Sequence, residues 1–143
     1  MSLLEVLARG AGAIAAYAAV GVVLLIVGFY VIDMATPGKL SAVIRTERNP
    51  NATLLATSAL AAVGLIVAAS IWSSGGRLVE GLAGTVVFGL VGIVVQTVAM
   101  LVFDKLVGIS VRDLVKEEEL QPGARLLAVT HVAIGLITAV AVI

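Results

Sequence analysis

The chain has 143 residues, 61% of them hydrophobic and 13% charged, with nine basic and nine acidic side chains and no cysteine. A soluble domain of that composition would expose far more apolar surface than the few hundred square ångströms that water usually tolerates, so the composition belongs in lipid. Balanced charge argues against nucleic acid as a partner, and the lack of cysteine removes disulfides, thiolate metal sites and cysteine nucleophiles.

The first uncharged stretch runs from Gly10 to Ile32. Only Arg9 lies close before it, and it leads into Asp33 and a Thr36-Pro37 turn, which marks a retained span rather than a cleaved secretory leader. In the loop that follows, Leu40, Val43 and Ile44 fall at i, i+3, i+4 and predict a short amphipathic helix lying on the lipid surface. Thr36-Pro37 and Asn49-Pro50-Asn51 bracket it.

The second stretch, Asn49 to Gly76, carries Trp72 near its end as an interfacial anchor. The third, Gly81 to Phe103, ends on an aromatic residue, as the first does at Phe29 and Tyr30. Val111, Leu114 and Val115 then predict a second surface helix, with Ser110 and Asp113 at capping-box spacing and Pro122-Gly123 as its stop. Glu117 to Glu119 read as its solvated face. The fourth stretch is Leu126 to Ile143, about 27 Å long as a helix. Each stretch holds between 18 and 28 residues without Asp, Glu, Lys or Arg, against the roughly 20 that a span requires. The expectation is an all-α integral membrane protein, a single membrane domain over residues 1–143 with four transmembrane helices.

A shift of 71 positions aligns Gly21 with Gly92, Asp33 with Asp104, Glu47 with Glu118, and Gly64-Leu65-Ile66 with Gly135-Leu136-Ile137. It also pairs Arg45 with Lys116, Tyr17 with Phe88, and the two apolar triplets of the loops. This predicts two parallel two-span repeats, residues 10–72 and 81–143, related by an axis along the membrane normal. Lys39, Arg45, Arg48, Lys105, Arg112, Lys116 and Arg125 lie in the first and third connections, whereas only Arg9 and Arg77 lie on the other side. Basic loops stay cytoplasmic, so the predicted topology is N-out and C-out.

Polar residues inside the spans are the candidate site. Gln96 and Thr97 in the third span, and Thr130 and His131 in the fourth, sit at similar depth, about 12 Å and 9 Å from the inner boundary for Gln96 and His131. They read either as helix glue, with His131 paired to Gln96 or a backbone carbonyl, or as a proton-relay or ion site. Asp33 and Asp104 end two spans where the helix dipole disfavours a carboxylate. They read as capped or ion-paired groups, with Arg48 and Arg125 as partners, or as an acidic pair at a cytoplasmic vestibule. Ala11, Gly12, Ala15, Ala16 and Ala19, with Gly64 and Ala68, are expected to let helices approach closely. Tyr17 is expected to find a hydrogen-bond partner. No acid lies inside any span, so no enzyme, cofactor or metal site is expected.

The pattern of Asp33, Thr36-Pro37, Asn51-Ala52 and Gly64, with its degenerate copy at Asp104, Gly123-Ala124 and Gly135, resembles the YjfL-like family of bacterial inner-membrane proteins, Domain of Unknown Function 350, of the UPF0719 type. The resemblance implies paired two-span repeats, the bacterial inner membrane, and partners among membrane-stress proteins of the phage-shock type. Gly123-Ala124 departs from Asn51-Ala52, so a role tied to that Asn belongs to one half only. The functional expectation is a non-enzymatic, homo-oligomeric scaffold or assembly subunit that contacts the lipid bilayer. The alternative is a small oligomeric ion channel or proton-coupled transporter using Gln96 and His131.

Overall fold

A computed structural model describes residues 1–143, all of its regular structure helical. The four long helices are α1 (Leu3–Ala35), α3 (Pro50–Trp72), α4 (Leu78–Val107) and α6 (Pro122–Val142); the short ones are α2 (Leu40–Arg45) and α5 (Val111–Leu114). Every predicted span is present, and all four long helices are long and apolar enough to cross a membrane. α1 starts seven residues before its uncharged stretch because Ser2 and Glu5 form a capping box, with Ser2 N donating to Glu5 Oε2 at 2.8 Å and Glu5 N to Ser2 Oγ at 3.3 Å. Its 33 residues rise about 50 Å, more than a hydrocarbon core of about 30 Å. Thr36 adopts an extended conformation before Pro37 and ends it.

Two prolines expected to bracket the loop helices instead open spans. Pro50 and Pro122 each stand at the start of a long helix, where a missing N–H costs nothing, so Pro122 begins α6 rather than stopping α5. α5 has already ended at Leu114. Asn49 caps α3, its Oδ1 accepting from Ala52 N at 2.9 Å. The Ser110 hydroxyl caps nothing at the start of α5, so the expected capping box is absent there. Asp113 instead pairs with exposed Lys116 at 3.1 Å, which holds its carboxyl below the ordinary carboxylate range.

α3 is the centre of the bundle. It packs against α6 most extensively and also against α4 and α1. Ala52, Ala56, Ala59, Ala62 and Ala69 are among its buried residues, and their small volume admits neighbours on several sides. Closest approach falls at glycines of the other helices. A Cβ on Gly135 of α6 would collide with the Cβ of Ala62 and meet its Cα at 2.6 Å, and one on Gly92 of α4 would meet Ile66 Cγ2 at 2.7 Å. The small residues singled out in the sequence do not make these seams. Gly12 and Gly64 have nothing within 4 Å, and Ala11, Ala15, Ala19 and Ala68 are exposed. Gly64 and Gly135, aligned by the 71-residue shift, therefore do different work.

The loops also differ from expectation. Leu40 and Val43 are 1% and 5% exposed and join Leu55, Ala56, Met100 and Leu127 in one core cluster. The apolar face of α2 thus plugs the end of the bundle rather than lying on lipid. Packed into that cluster, Leu40 and Val43 remove their apolar area from water at the loop-side end of the bundle. Trp72 is exposed at the opposite end, as an interfacial anchor would be, and Tyr17 Oη donates to Ser74 Oγ at 3.1 Å there.

Candidate functional site

Two arrangements at the end carrying α2 and α5 draw attention. The first is a clamp built by the amides that open α3. Asn49 Nδ2 donates to the carbonyls of Val115 and Glu117, both at 2.9 Å. Asn51 Nδ2 donates to Glu117 O at 3.1 Å and Glu119 O at 2.8 Å, while its Oδ1 accepts from Gln121 N at 2.8 Å. Asn51 is 0% exposed, and these bonds satisfy both its donors and its acceptor. The segment between α5 and α6 has little regular structure, so its backbone takes partners from the other half of the chain. The side chains of Glu117 to Glu119 remain exposed.

The second is a cavity of about 570 Å³ between the loop-side ends of α1 and α4, with α3, α5 and α6 completing its walls. Gln96, Thr97, Asp104 and His131 line it, with Lys105, Ser110 and Arg112 on the loop side and Val31, Ile32, Leu55, Val63, Ile93 and Met100 among its apolar walls. Gln96, Met100 and Asp104 recur every four residues, which aligns them on one face of α4.

Gln96 and His131 face the same cavity without bonding each other. Gln96 Nε2 donates to Ala59 O at 3.4 Å, and its Oε1 is buried without a partner. His131 Nδ1 lies 3.4 Å from Ser58 Oγ. Ser58 Oγ also lies 2.9 Å from Leu55 O, so its hydroxyl either donates there and accepts from the His131 ring or donates to that ring. The expected alternative of a backbone or amide partner for His131 is replaced by a serine hydroxyl. Gln96 does take a backbone carbonyl, but on α3. Thr97 and Thr130 donate to Ile93 O and Leu126 O of their own helices at 2.7 and 2.9 Å. Thr97 borders the cavity and Thr130 is not among its lining residues.

The two aspartates part ways. Asp33 Oδ1 accepts from Leu40 N at 2.6 Å and so holds the start of α2, whereas Asp104 Oδ1 is buried without a partner at the cavity wall. Asp33 does not line the cavity, so the two do not form one vestibule. Neither pairs with Arg48 or Arg125; the two ion pairs of the chain are Arg77–Glu80 and Lys116–Asp113. Nor do three His, Asp or Glu side chains converge as metal ligands.

Sequence reasoning missed Ser58 and the depth to which Asn49 and Asn51 are engaged. Ser58 carries no signal, being one small residue among alanines. The amides had one, two Asn flanking a proline at the mouth of a span, but they read equally well as a turn.

This arrangement defines a multi-pass membrane protein with a mostly apolar cavity, edged by a few polar side chains, at one end of a helical bundle. The chain belongs to the family described as Domain of Unknown Function (DUF350), whose model matches residues 4–142. A UPF0719 transmembrane protein of Mycolicibacterium paratuberculosis is 38% identical over 134 residues, covering 94% of this chain and 89% of that protein. Another of that description, from Mycobacterium bovis, is 32% identical over 133 residues, covering 93% and 88%. No solved structure matches the chain.

Proposed function

We propose that the protein is a non-enzymatic scaffold or assembly subunit of the bacterial inner membrane that works as a homo-oligomer, N-out and C-out, and is linked to envelope stress through a membrane-stress protein partner. In this reading the units 10–72 and 81–143 are parallel repeats. The observation that carries it is the exposure of α1. Only 11% of its most apolar window is buried within the chain, against 56% for α3, and its small residues Gly12, Ala15 and Ala19 face outward. A second copy packed on that face would bury it closely. Seven of the nine basic side chains stand in or beside the two connections joined by the Asn49 clamp, Lys105 and Arg125 in the adjoining turns of α4 and α6, which supports a cytoplasmic position for that end. The Glu117 to Glu119 side chains present an exposed acidic patch there, whereas the Leu40 and Val43 face is turned inward and offers a partner nothing.

The chain lacks cysteine, so single cysteines report cleanly. Cysteines at positions 12 and 16 should crosslink between copies in membranes. Cysteines at 41 and 118 should both react only from the cytoplasmic side. Absence of any crosslink together with a single-chain mass in detergent sinks the oligomeric reading, and labelling of 41 and 118 from opposite sides sinks the repeat topology.

One observation favours a second reading, a small oligomeric channel or proton-coupled transporter: Gln96, Thr97, His131 and Asp104 border one cavity. Proteoliposomes that carry no ion or proton flux, with or without His131→Ala, remove it.

A further inference from the structure

The buried side-chain atoms at the cavity wall that no bond of the chain satisfies are acceptors. Gln96 Oε1 and Asp104 Oδ1 are buried and unpartnered. With Gln96 Nε2 donating to the Ala59 carbonyl at 3.4 Å, Oε1 is the amide atom left without a partner. Gln96 is 4% exposed, so water reaches this carbonyl only by way of the cavity. An acceptor left bare at that depth is costly, and the complement it requires is a hydrogen-bond donor.

The walls narrow the occupant further. The cavity has the volume of a small-molecule site, about 300 to 1,000 Å³, and apolar side chains such as Val31, Leu55 and Met100 make up most of it. Towards the other end of the bundle, a Cβ on Gly89 of α4 would meet Leu24 Cδ1 of α1 at 2.5 Å, so these two helices close on one another one turn beyond the cavity. Asp104 and Lys105, two turns or about 12 Å along α4 from Gln96, stand too far away to offset the desolvation of an ionised head of either sign there. A neutral head remains.

We propose that this cavity binds one long-chain lipid-soluble molecule whose neutral head, an alcohol or glyceride hydroxyl, donates a hydrogen bond to Gln96 Oε1. The chain of the ligand lies along the apolar walls, and its hydroxyl takes the place of water at the deepest acceptors. The assignment rests on the cavity alone, so failure of the crosslinking or flux tests leaves it standing.

Tetradecanol and its methyl ether, which differ only in the donor, provide the test. Both are titrated into the detergent-solubilised full chain and followed by native mass spectrometry. Tetradecanol is expected to bind one per chain and roughly fivefold more tightly than the ether, the worth of about one net hydrogen bond. In Gln96→Leu and Gln96→Met the two should bind alike; two apolar replacements guard against misfolding of either. Equal binding of alcohol and ether by the native chain overturns the proposal, as does a preference that survives both substitutions. Hexanol shares the head without the length, and binding as tight as that of tetradecanol would overturn the membrane source.

Discussion

Replacing Asn51 tests the clamp most directly. Asn51→Ala removes three hydrogen bonds, to Glu117 O at 3.1 Å, Glu119 O at 2.8 Å and from Gln121 N at 2.8 Å, at a residue that is 0% exposed. At about 1 kcal/mol net for each bond, the loss is about 3 kcal/mol. Water reaching the exposed loop backbone moves that value down, and the hole left by the amide moves it up. Either way it is a large share of the roughly 5 to 15 kcal/mol that holds most domains folded. Asn51→Asp keeps Oδ1 as the acceptor for Gln121 but turns a carboxylate oxygen towards two carbonyls, so it should be at least as damaging as alanine. Gly123→Ala, in the first turn of α6 as Asn51 is in the first turn of α3, serves as the contrast. The assay is equilibrium unfolding in mixed micelles by Trp72 fluorescence, paired with hydrogen exchange at the Gln121 amide. Exchange should speed by more than tenfold in Asn51→Ala. An Asn51→Ala variant with unchanged stability and unchanged exchange at Gln121 refutes the reasoning.

Gly135→Ala should destabilise by about 1 to 3 kcal/mol, since its Cβ collides with Ala62 and a helix must move. Gly64→Ala, with nothing within 4 Å, should be neutral or stabilise by up to about 1 kcal/mol through helix propensity, and the same unfolding assay reads both. Asp33→Ala strips the acceptor from Leu40 N and should cost about 1 kcal/mol, whereas Asp33→Asn retains that acceptor and should cost less. Asp104→Asn removes the charge from a half-buried carboxylate whose Oδ1 is without a partner and should leave stability unchanged or raised, so the reverse ranking of the two aspartates in thermal melts would count against their assigned roles. Ser58→Ala removes the 3.4 Å contact to His131 and a bond to Leu55 O of its own helix, and should cost less than about 1 kcal/mol in the same melts.

The spans were legible because a bilayer imposes one requirement, about 20 apolar residues without charge, which the chain meets four times. Helix ends were less so. Ser2 and Glu5 extend α1 by local hydrogen bonds that hydropathy does not register, and Pro122 reads as a stop or a start until its neighbours are placed. Depth along the helix axis was recoverable from residue counts, which is why Gln96 and His131 do border one cavity. Direction around the axis was not. In a helix apolar on all faces, nothing in the sequence separates the side that meets lipid from the side that meets α3. For that reason the alanines of α1 read as a seam while Gly92 and Gly135 form it. Ser58 was invisible for a related cause, since its value lies in the partner that α6 delivers.

The tightest pairing in the molecule joins α3 to α6, elements separated by the whole of α4 and its loops, and the Asn51 clamp likewise reaches forward to residues 117–121. During synthesis the second span therefore enters the bilayer before its main neighbour has been translated. Until then Ser58 and Ser70 sit in hydrocarbon on an uncovered surface, and the Asn51 amide waits at the headgroup layer. A ribosome stall or truncation upstream of Pro122 would release a polypeptide with all its greasy segments but one and an unfinished centre, the kind of product that membrane proteases remove.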